Sequence, residues 1–408
     1  MSSDTGAGDH FRLGVNYWPA PIAMRWWSAF EPEEVARDFE RIADAGMDSV
    51  RFFLTWEAFQ PAPASVDQTM LGRLVQVADI AEAAGLDIMP TLFTGHMSGV
   101  NLIPPWATGG SDGDDRFRVV SGGSASTVGL RNWYSDPHVT RAQTLLAGQA
   151  AGALAGHGSV WAWDLGNENS NCVTPPDKAS GRDWLMSITS AIRAADPKTL
   201  ITTGLHMEDL EQDRNLGPAE ALEACDFLTM HGYPIYASWS AGPTDEHLLP
   251  FLSIVTRWLA GKGDVLFSEF GLPTLAIGDN LVDHEVSTMS VREEEAAAYT
   301  GRCLEALHDA GCTGAMLWCY SDYVPGIWSE PPLDVAIHER SFGLWRSDGS
   351  PKPAVEIIKG FGNRVRRQPS EHPWIDIEPE QFWAAPAAAL PRLYNRFRAA
   401  RDLSPSMQ

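Results

Sequence analysis

One local pattern recurs along the 408-residue chain and limits the folds that it can adopt. An amphipathic stretch ends at Gly or another small residue, a polar residue follows, and a short apolar or β-branched run comes next. The small residue is typical of a helix end, and the short run is typical of a buried parallel strand. With two further apolar runs, the pattern predicts eight strands: 13–17, 45–54, 84–92, 160–165, 196–203, 224–230, 261–267 and 310–318.

The segments between these strands have helical features. Val35, Phe39 and Ile42 repeat at helical spacing, and Asp136 followed by Pro137 is a helix-start signal. Alternating strands and helices form either an open doubly wound sheet or a closed barrel. Because no glycine-rich nucleotide-binding turn follows the first strand, we predict closure into an α/β fold, a (β/α)8 TIM barrel.

The loops differ in length at the two ends of the predicted strands. Helix-to-strand links are short, whereas the strand-to-helix links 93–135, 271–290 and 319–353 are long. Long loops in compact domains are usually functional, and in this fold the C-terminal ends of the strands carry the active site. We predict a catalytic barrel over 1–365 and a C-terminal extension over 366–408 that is too short for a separate domain and packs on the barrel.

Charge and composition exclude several partners. Acidic residues outnumber basic ones by 53 to 30, a formal net charge of −23, so we expect neither nucleic acid nor a membrane as a partner. Residues 1–10 are polar, and no run approaches the roughly 18 apolar residues of a spanning helix, which predicts a cytoplasmic protein. The five cysteines lack CxxC spacing, which indicates reduced, mostly buried thiols. The oligomeric state stays open.

Two carboxylates lie at the ends of predicted strands. Glu168 ends the run that follows Trp161, and Glu269 ends the run that begins at Val265. Asn167-Glu168 alone is more often a helix cap, and Ser-Glu-Phe-Gly alone is more often a turn. Together, at strand ends of one barrel, they match the acid/base and the nucleophile of a retaining glycosidase, whose carboxyl groups stand about 5–5.5 Å apart.

These strand-end motifs, taken in order from 13 to 365, resemble those of the clan A retaining glycoside hydrolases, most closely family 5, the cellulase and mannanase superfamily. The resemblance implies that Glu168 is the general acid/base and that Glu269 is the nucleophile. It also implies six substrate-site residues: Arg51 against the nucleophile, His96 and Asn167 on sugar hydroxyls, His231 and Tyr233 as a His-x-Tyr element, and Trp318 as the floor under the sugar.

A retaining mechanism needs one ionised and one protonated carboxyl group. We expect Arg51 and the Tyr233 hydroxyl to keep Glu269 charged. We expect burial and the charge of Glu269 to raise the pKa of Glu168, so that it protonates the leaving oxygen.

Within family 5, the motifs are most similar to those of the intracellular β-mannosidase-like members, which implies hydrolysis of terminal β-D-mannosides of an oligosaccharide or glycoside without cofactor or metal. The long loop 93–135, with Trp106 and Trp133, is large enough to close one end of the cleft, as exo-action requires.

An endo-β-mannanase, a β-glucosidase or a β-galactofuranosidase would use the same chemistry. A non-catalytic glycan-binding barrel is an alternative of another class. A metal-dependent barrel hydrolase would need His-x-His on the first strand, where Asn16-Tyr-Trp18 stands instead.

Overall fold

The computed structural model describes residues 10–113, 115–275, 289–369 and 372–402. Eight parallel strands form the predicted TIM barrel, and each overlaps one predicted strand. They are β1 (Arg12–Tyr17), β2 (Ser49–Thr55), β3 (Asp87–Thr94), β4 (Ala162–Asn167), β5 (Leu200–Gly204), β6 (Leu228–His231), β7 (Val265–Phe270) and β8 (Gly314–Leu317).

The strands pair in the order β5-β4-β3-β2-β1-β8-β7-β6. Between β5 and β6 the barrel is closed by two backbone bonds, from Asp226 N–H to the Ile201 carbonyl at 2.8 Å and from His231 N–H to the Leu205 carbonyl at 2.9 Å. The register sets functional positions side by side, because Asn16 pairs with Arg51 and His231 pairs with Glu269.

The helices between the strands begin and end at the signals that the sequence carries. The Asp136 side chain accepts from His138 N–H and Pro137 is the first helical residue of its helix, as predicted. Gly85 ends another helix with φ 72°, a left-handed conformation that favours glycine. The barrel helices are α1 (Pro32–Asp44), α2 (Gln68–Ala84), α3 (Pro137–Leu154), α4 (Lys178–Ala195), α5 (Pro218–Ala224), α6 (Leu248–Leu259), α7 (Glu293–Asp309) and α8 (Ala354–Phe361).

The loop after β3 builds a small sheet above the barrel. Its four strands, in sheet order, are His96–Met97, Val100–Leu102, Arg118–Ser121 and Ser124–Ser126. This sheet is the largest addition to the C-terminal ends of the strands among the described residues, and it forms one wall of the cavity described below.

Two helices follow the barrel, α9 (Pro379–Ala384) and α10 (Pro386–Asp402). On α10, the Tyr394 ring lies 5.2 Å from Trp239 and 5.0 Å from Phe251, and its hydroxyl donates to Asp245. These helices therefore contact the loop after β6 and helix α6, while the predicted boundary at 365 stays a prediction.

All five cysteines are buried, and none of them forms a disulfide. No helix in the described part of the chain is long and apolar enough to cross a membrane.

Candidate active site

The C-terminal ends of the strands surround a cavity of about 370 Å³, a volume within the range of small-molecule sites. Arg51 lies in the wall of the barrel beneath it and contacts Glu269. The other seven predicted site residues line the cavity: His96, Asn167, Glu168, His231, Tyr233, Glu269 and Trp318. The structure therefore brings all eight together.

The two carboxylates face each other across this cavity. Glu168 follows the last residue of β4 with φ 49°, a left-handed conformation that is uncommon outside glycine, and its N–H donates to the Gly204 carbonyl at 3.2 Å. Glu269 lies within β7 and is buried. An oxygen of one carboxylate lies within 4.8 Å of an oxygen of the other. This spacing suits retention, since inverting enzymes separate the groups by about 6.5–9.5 Å.

Arg51 uses all of its hydrogen-bonding capacity here. Its Nε and one Nη donate to Asp164 at 3.0 and 2.7 Å, and the other bonds go to Asn16 at 3.0 Å, to Asn167 at 2.8 Å and to Glu269. A guanidinium has five N–H donors, so each one has an acceptor. Because the side chain is fully buried, these five bonds fix the guanidinium in place.

Each carboxylate has its own set of partners. On Glu269, one oxygen accepts from Arg51 and the other accepts from the Tyr233 hydroxyl at 2.9 Å. On Glu168, one oxygen lies 2.9 Å from His231 Nδ1, and the other accepts from Asn171 Nδ2 at 3.1 Å.

Two of the predicted sugar-binding residues are linked to each other. The Asn167 side chain donates to the His96 carbonyl at 2.8 Å, and an amide nitrogen has a second N–H to offer. His96 Nδ1 lies 2.9 Å from Asn101 Oδ1, while its Nε2 lies 3.9 Å from Glu168. Burial lowers the pKa of His96, which favours the neutral ring.

The predicted order of the two carboxyl pKa values is wrong. Burial raises the pKa of Glu168, but the charges of His206 and His231 outweigh it, so that the pKa lies below its usual range. Burial also raises the pKa of Glu269; His231 and Arg51 lower it, repulsion by Glu168 raises it, and the net direction is upward.

Two features explain the reversal. For Glu269, burial and repulsion by Glu168 together outweigh the lowering of the pKa by His231 and Arg51. Three histidines from different parts of the chain, His96, His206 and His231, surround Glu168, and the sequence did not indicate that His206 is one of them.

Glu339 is a functional candidate that the sequence motifs missed. Its carboxylate is buried beside the cavity and accepts from Trp318 Nε1 at 3.1 Å, from the Ser98 hydroxyl at 2.9 Å and from the Tyr236 hydroxyl at 3.2 Å. It belongs to the long loop after β8, and the only available signal was the length of that loop. Glu339 thereby orients the predicted sugar floor.

Trp106 and Trp133 do not line the cavity. Their rings pack against Trp56 at centroid distances of 5.2 and 5.9 Å; Trp133 is buried in the core, and Trp106 is half-buried against it. From the same loop, Phe117 reaches the cavity instead and lies edge-on to His96 at 4.4 Å.

Comparison with known proteins agrees with this geometry. Residues 14–323 match the model of the cellulase family, glycosyl hydrolase family 5. Among solved structures, the exo-β-1,4-mannosidase Op5Man5 from Opitutaceae bacterium strain TAV5 is 29% identical with a TM-score of 0.68, and the match covers 86% of this chain and 59% of that one. The GH5_18 enzyme from Streptomyces cattleya, 22% identical, has a TM-score of 0.78 over 96% of this chain and 91% of its own.

A curated relative is the mannan endo-1,4-β-mannosidase 5 of Arabidopsis thaliana, 27% identical over 139 residues that represent 28% of this chain and 31% of the relative. The chain thus matches less than a third of that relative and 59% of Op5Man5. The family model, in contrast, spans more than half of the chain and includes both strand-end carboxylates. This chain belongs to glycosyl hydrolase family 5.

Proposed function

We propose that the chain is a retaining β-mannosidase that removes terminal β-D-mannosyl units from the non-reducing ends of oligosaccharides. In this proposal Glu269 is the nucleophile and Glu168 is the general acid/base. The assignment of the two roles is supported by their partners, because the buried cation Arg51 contacts only Glu269 of the two.

The reaction takes two displacements. The Glu269 carboxylate attacks the anomeric carbon while Glu168 gives its proton to the departing glycosidic oxygen, and a covalent glycosyl-enzyme forms. Glu168, now ionised, then removes a proton from a water molecule that attacks the same carbon and releases Glu269. When the two carboxyl groups hold one proton between them, the reactive form is the one with the proton on Glu168. This form is less populated than the form with the proton on Glu269, because the pKa of Glu269 is the higher.

Neighbouring residues hold the sugar between the two carboxylates. Trp318 would lie under the ring, and the second N–H of Asn167 would donate to the 2-hydroxyl, a contact that strengthens in the transition state. The Tyr233 hydroxyl, 2.9 Å from Glu269, would keep the nucleophile oriented for attack.

Exo-action rests on one observation, the closure of the cleft between the loops after β3 and β8. Arg118 donates two bonds to Asp334, at 2.9 and 2.7 Å, and the Ser98 hydroxyl donates to Glu339 at 2.9 Å. Glu339 also accepts from Trp318 Nε1, so the Ser98 contact joins the two loops beside the predicted sugar floor. An end of the cleft that is closed there would leave no space for a further sugar of a long chain.

The mannose half of the proposal is supported by similarity. Op5Man5, at 29% identity, carries the name exo-β-1,4-mannosidase. An endo-β-mannanase, the activity named for the curated relative, needs a groove that is open at both ends, which the Arg118–Asp334 contact disfavours.

Product analysis on the purified chain tests both halves. Given mannooligosaccharides, it should release mannose stepwise from the non-reducing end, and it should hydrolyse aryl β-mannoside faster than aryl β-glucoside or aryl β-galactofuranoside. Glu269→Gln, purified in the same way, controls for glycosidases of the expression host.

The alternatives have distinct outcomes in this experiment. Internal cleavage of mannan with a rapid fall in viscosity would reject exo-action. Preference for another aryl glycoside would reject mannose and leave the retaining mechanism standing. Binding without turnover of any glycoside would indicate a non-catalytic barrel.

A further inference from the structure

His206 lies directly after β5, at the cavity wall beside Glu168. Its backbone pairs in parallel with His231, the residue whose Nδ1 lies 2.9 Å from Glu168. The side chain of His206 is only 7% exposed, so its charge is poorly screened by water. It therefore lies where its charge state affects a group that we assign to proton transfer.

Asp209 fixes the orientation of this imidazole. One oxygen of its buried carboxylate lies 3.0 Å from His206 Nδ1 and accepts from the His206 backbone N–H at 3.0 Å, while the other accepts from the Ser170 hydroxyl at 2.5 Å. These contacts put a proton on Nδ1. The other ring nitrogen, Nε2, is buried without a hydrogen-bond partner in the described residues, so Asp209 is what holds the ring.

Charged groups from several elements face His206. Burial lowers its pKa, but the carboxylates of Asp209 and Glu168 raise it by more, to about 9, against the opposing charge of Arg214. The remaining titratable neighbours are His96 from the loop after β3, His231 from β6, and Glu208 and Glu211 from the short helix that contains Asp209. The acidic partners outweigh Arg214, so the imidazole is protonated at neutral pH.

We propose that His206, held by Asp209, is a positioning residue that keeps a positive charge beside Glu168 and thereby limits how readily Glu168 holds the proton that it donates. The inference rests on the proposed role of Glu168 as the general acid. A nearby cation favours the ionised carboxylate, so it reduces the fraction of molecules in which Glu168 carries the proton. Removing the cation should therefore increase that fraction.

The test is the pH dependence of kcat/KM in His206→Asn, measured with an alkyl β-mannoside whose poor leaving group needs protonation. Asparagine can still bond to Asp209 but carries no charge, so a purely structural role would be largely preserved. Because Glu168 has the lower of the two carboxyl pKa values, the acidic limb follows it, and we expect this limb to move up by about one pH unit or more, the scale of shift that a neighbouring charge produces. With a dinitrophenyl β-mannoside, which needs little protonation, the limb should move much less.

Two further variants make the result specific. Asp209→Asn removes the counter-charge and should shift the limb in the same direction. His157→Asn is the matched control, because His157 pairs with Asp79 at 3.2 Å before β4, at the opposite end of the barrel, and should leave the profile unchanged. An unmoved acidic limb in both His206→Asn and Asp209→Asn, in folded and active variants, would overturn the inference.

A second readout separates this inference from the proposed function. Ring-nitrogen NMR of the wild-type protein should find His206 doubly protonated at neutral pH, and less so in Asp209→Asn. A neutral His206 in the wild type would overturn the inference whatever the protein hydrolyses. Lack of hydrolysis of any glycoside, with a charged His206, would reject the function alone.

Discussion

Replacement of Arg51 should destabilise the protein more than most single substitutions. The side chain is fully buried and donates to two carboxylates, Asp164 and Glu269. Arg51→Met would leave both carboxylates buried without their cation, and breaking a buried ion pair from one side costs about 3–5 kcal/mol. We expect a loss of that size in the free energy of unfolding.

Arg51→Lys separates charge from geometry. An ammonium keeps the positive charge but has three donors in place of five, so at least two of the five present bonds are lost. If the lost bonds are those to the amide oxygens of Asn16 and Asn167, the loss at about 0.5–1.5 kcal/mol for each bond is about 1–3 kcal/mol. Arg51→Lys should therefore lie between the wild type and Arg51→Met.

Urea denaturation followed by tryptophan fluorescence measures these differences. The double variant Arg51→Met/Asp164→Asn should recover part of the loss, because one uncompensated charge is removed. If Arg51→Met lowered the free energy of unfolding by less than about 1 kcal/mol, the value of an exposed ion pair, the guanidinium would not stabilise the two buried carboxylates as inferred from its contacts. In activity assays Arg51→Met should also move the alkaline limb of the pH profile upward, because this limb follows Glu269, the carboxyl group with the higher pKa, and Arg51 lowers that pKa.

Three other predictions concern the chemistry. Glu269→Ala should abolish turnover, and azide should restore some activity and give a product of inverted anomeric configuration. Glu168→Ala should keep turnover of substrates with good leaving groups. Near-normal rates in Glu269→Ala would refute the assignment. Arg118→Ser should weaken the contact with Asp334 and raise cleavage at internal bonds of mannooligosaccharides relative to release of terminal mannose, and an unchanged product pattern would mean that this contact does not limit the cleft. Activity should survive prolonged EDTA treatment and gel filtration, since both oxygens of Glu269 already accept from Arg51 and Tyr233; activity that is lost to chelation and restored by one divalent ion would contradict a metal-free mechanism.

The barrel could be predicted because its signals are local. Each strand follows a helix end marked by a small residue and contains a short buried run, and short links between consecutive elements leave few topologies. Asp136 and Pro137 start α3 as predicted because an N-cap and an N1 proline act within one helical turn. The proximity of the strand-end residues could also be predicted from the sequence, because the C-terminal ends of all barrel strands meet at one face.

The rest of the site depends on loops that are distant in sequence. Glu339 reaches Trp318 and Ser98 only through the path of the loop after β8, and no motif at this position indicates that path. Trp106 and Trp133 were expected near the cleft, but both pack against Trp56, Trp133 within the core and Trp106 half-buried against it.

The order of the carboxyl pKa values failed for an electrostatic reason. For Glu168 the expectation counted burial and the charge of Glu269 but not the charges of the surrounding histidines. For Glu269 it counted Arg51 and Tyr233 but not burial or repulsion by Glu168. Such sums need the positions of all charges within a buried site, and sequence motifs supply only some of them.

The most direct test of the retaining mechanism is the anomeric configuration of the first sugar released. Proton NMR of an aryl β-mannoside during early hydrolysis should detect β-mannose first, with the α-anomer appearing later by mutarotation. This follows from carboxylate oxygens within 4.8 Å of each other, which bring Glu269 to the anomeric carbon and leave no room for a water molecule on that face. Appearance of α-mannose first would mean inversion and would contradict the roles assigned to Glu168 and Glu269.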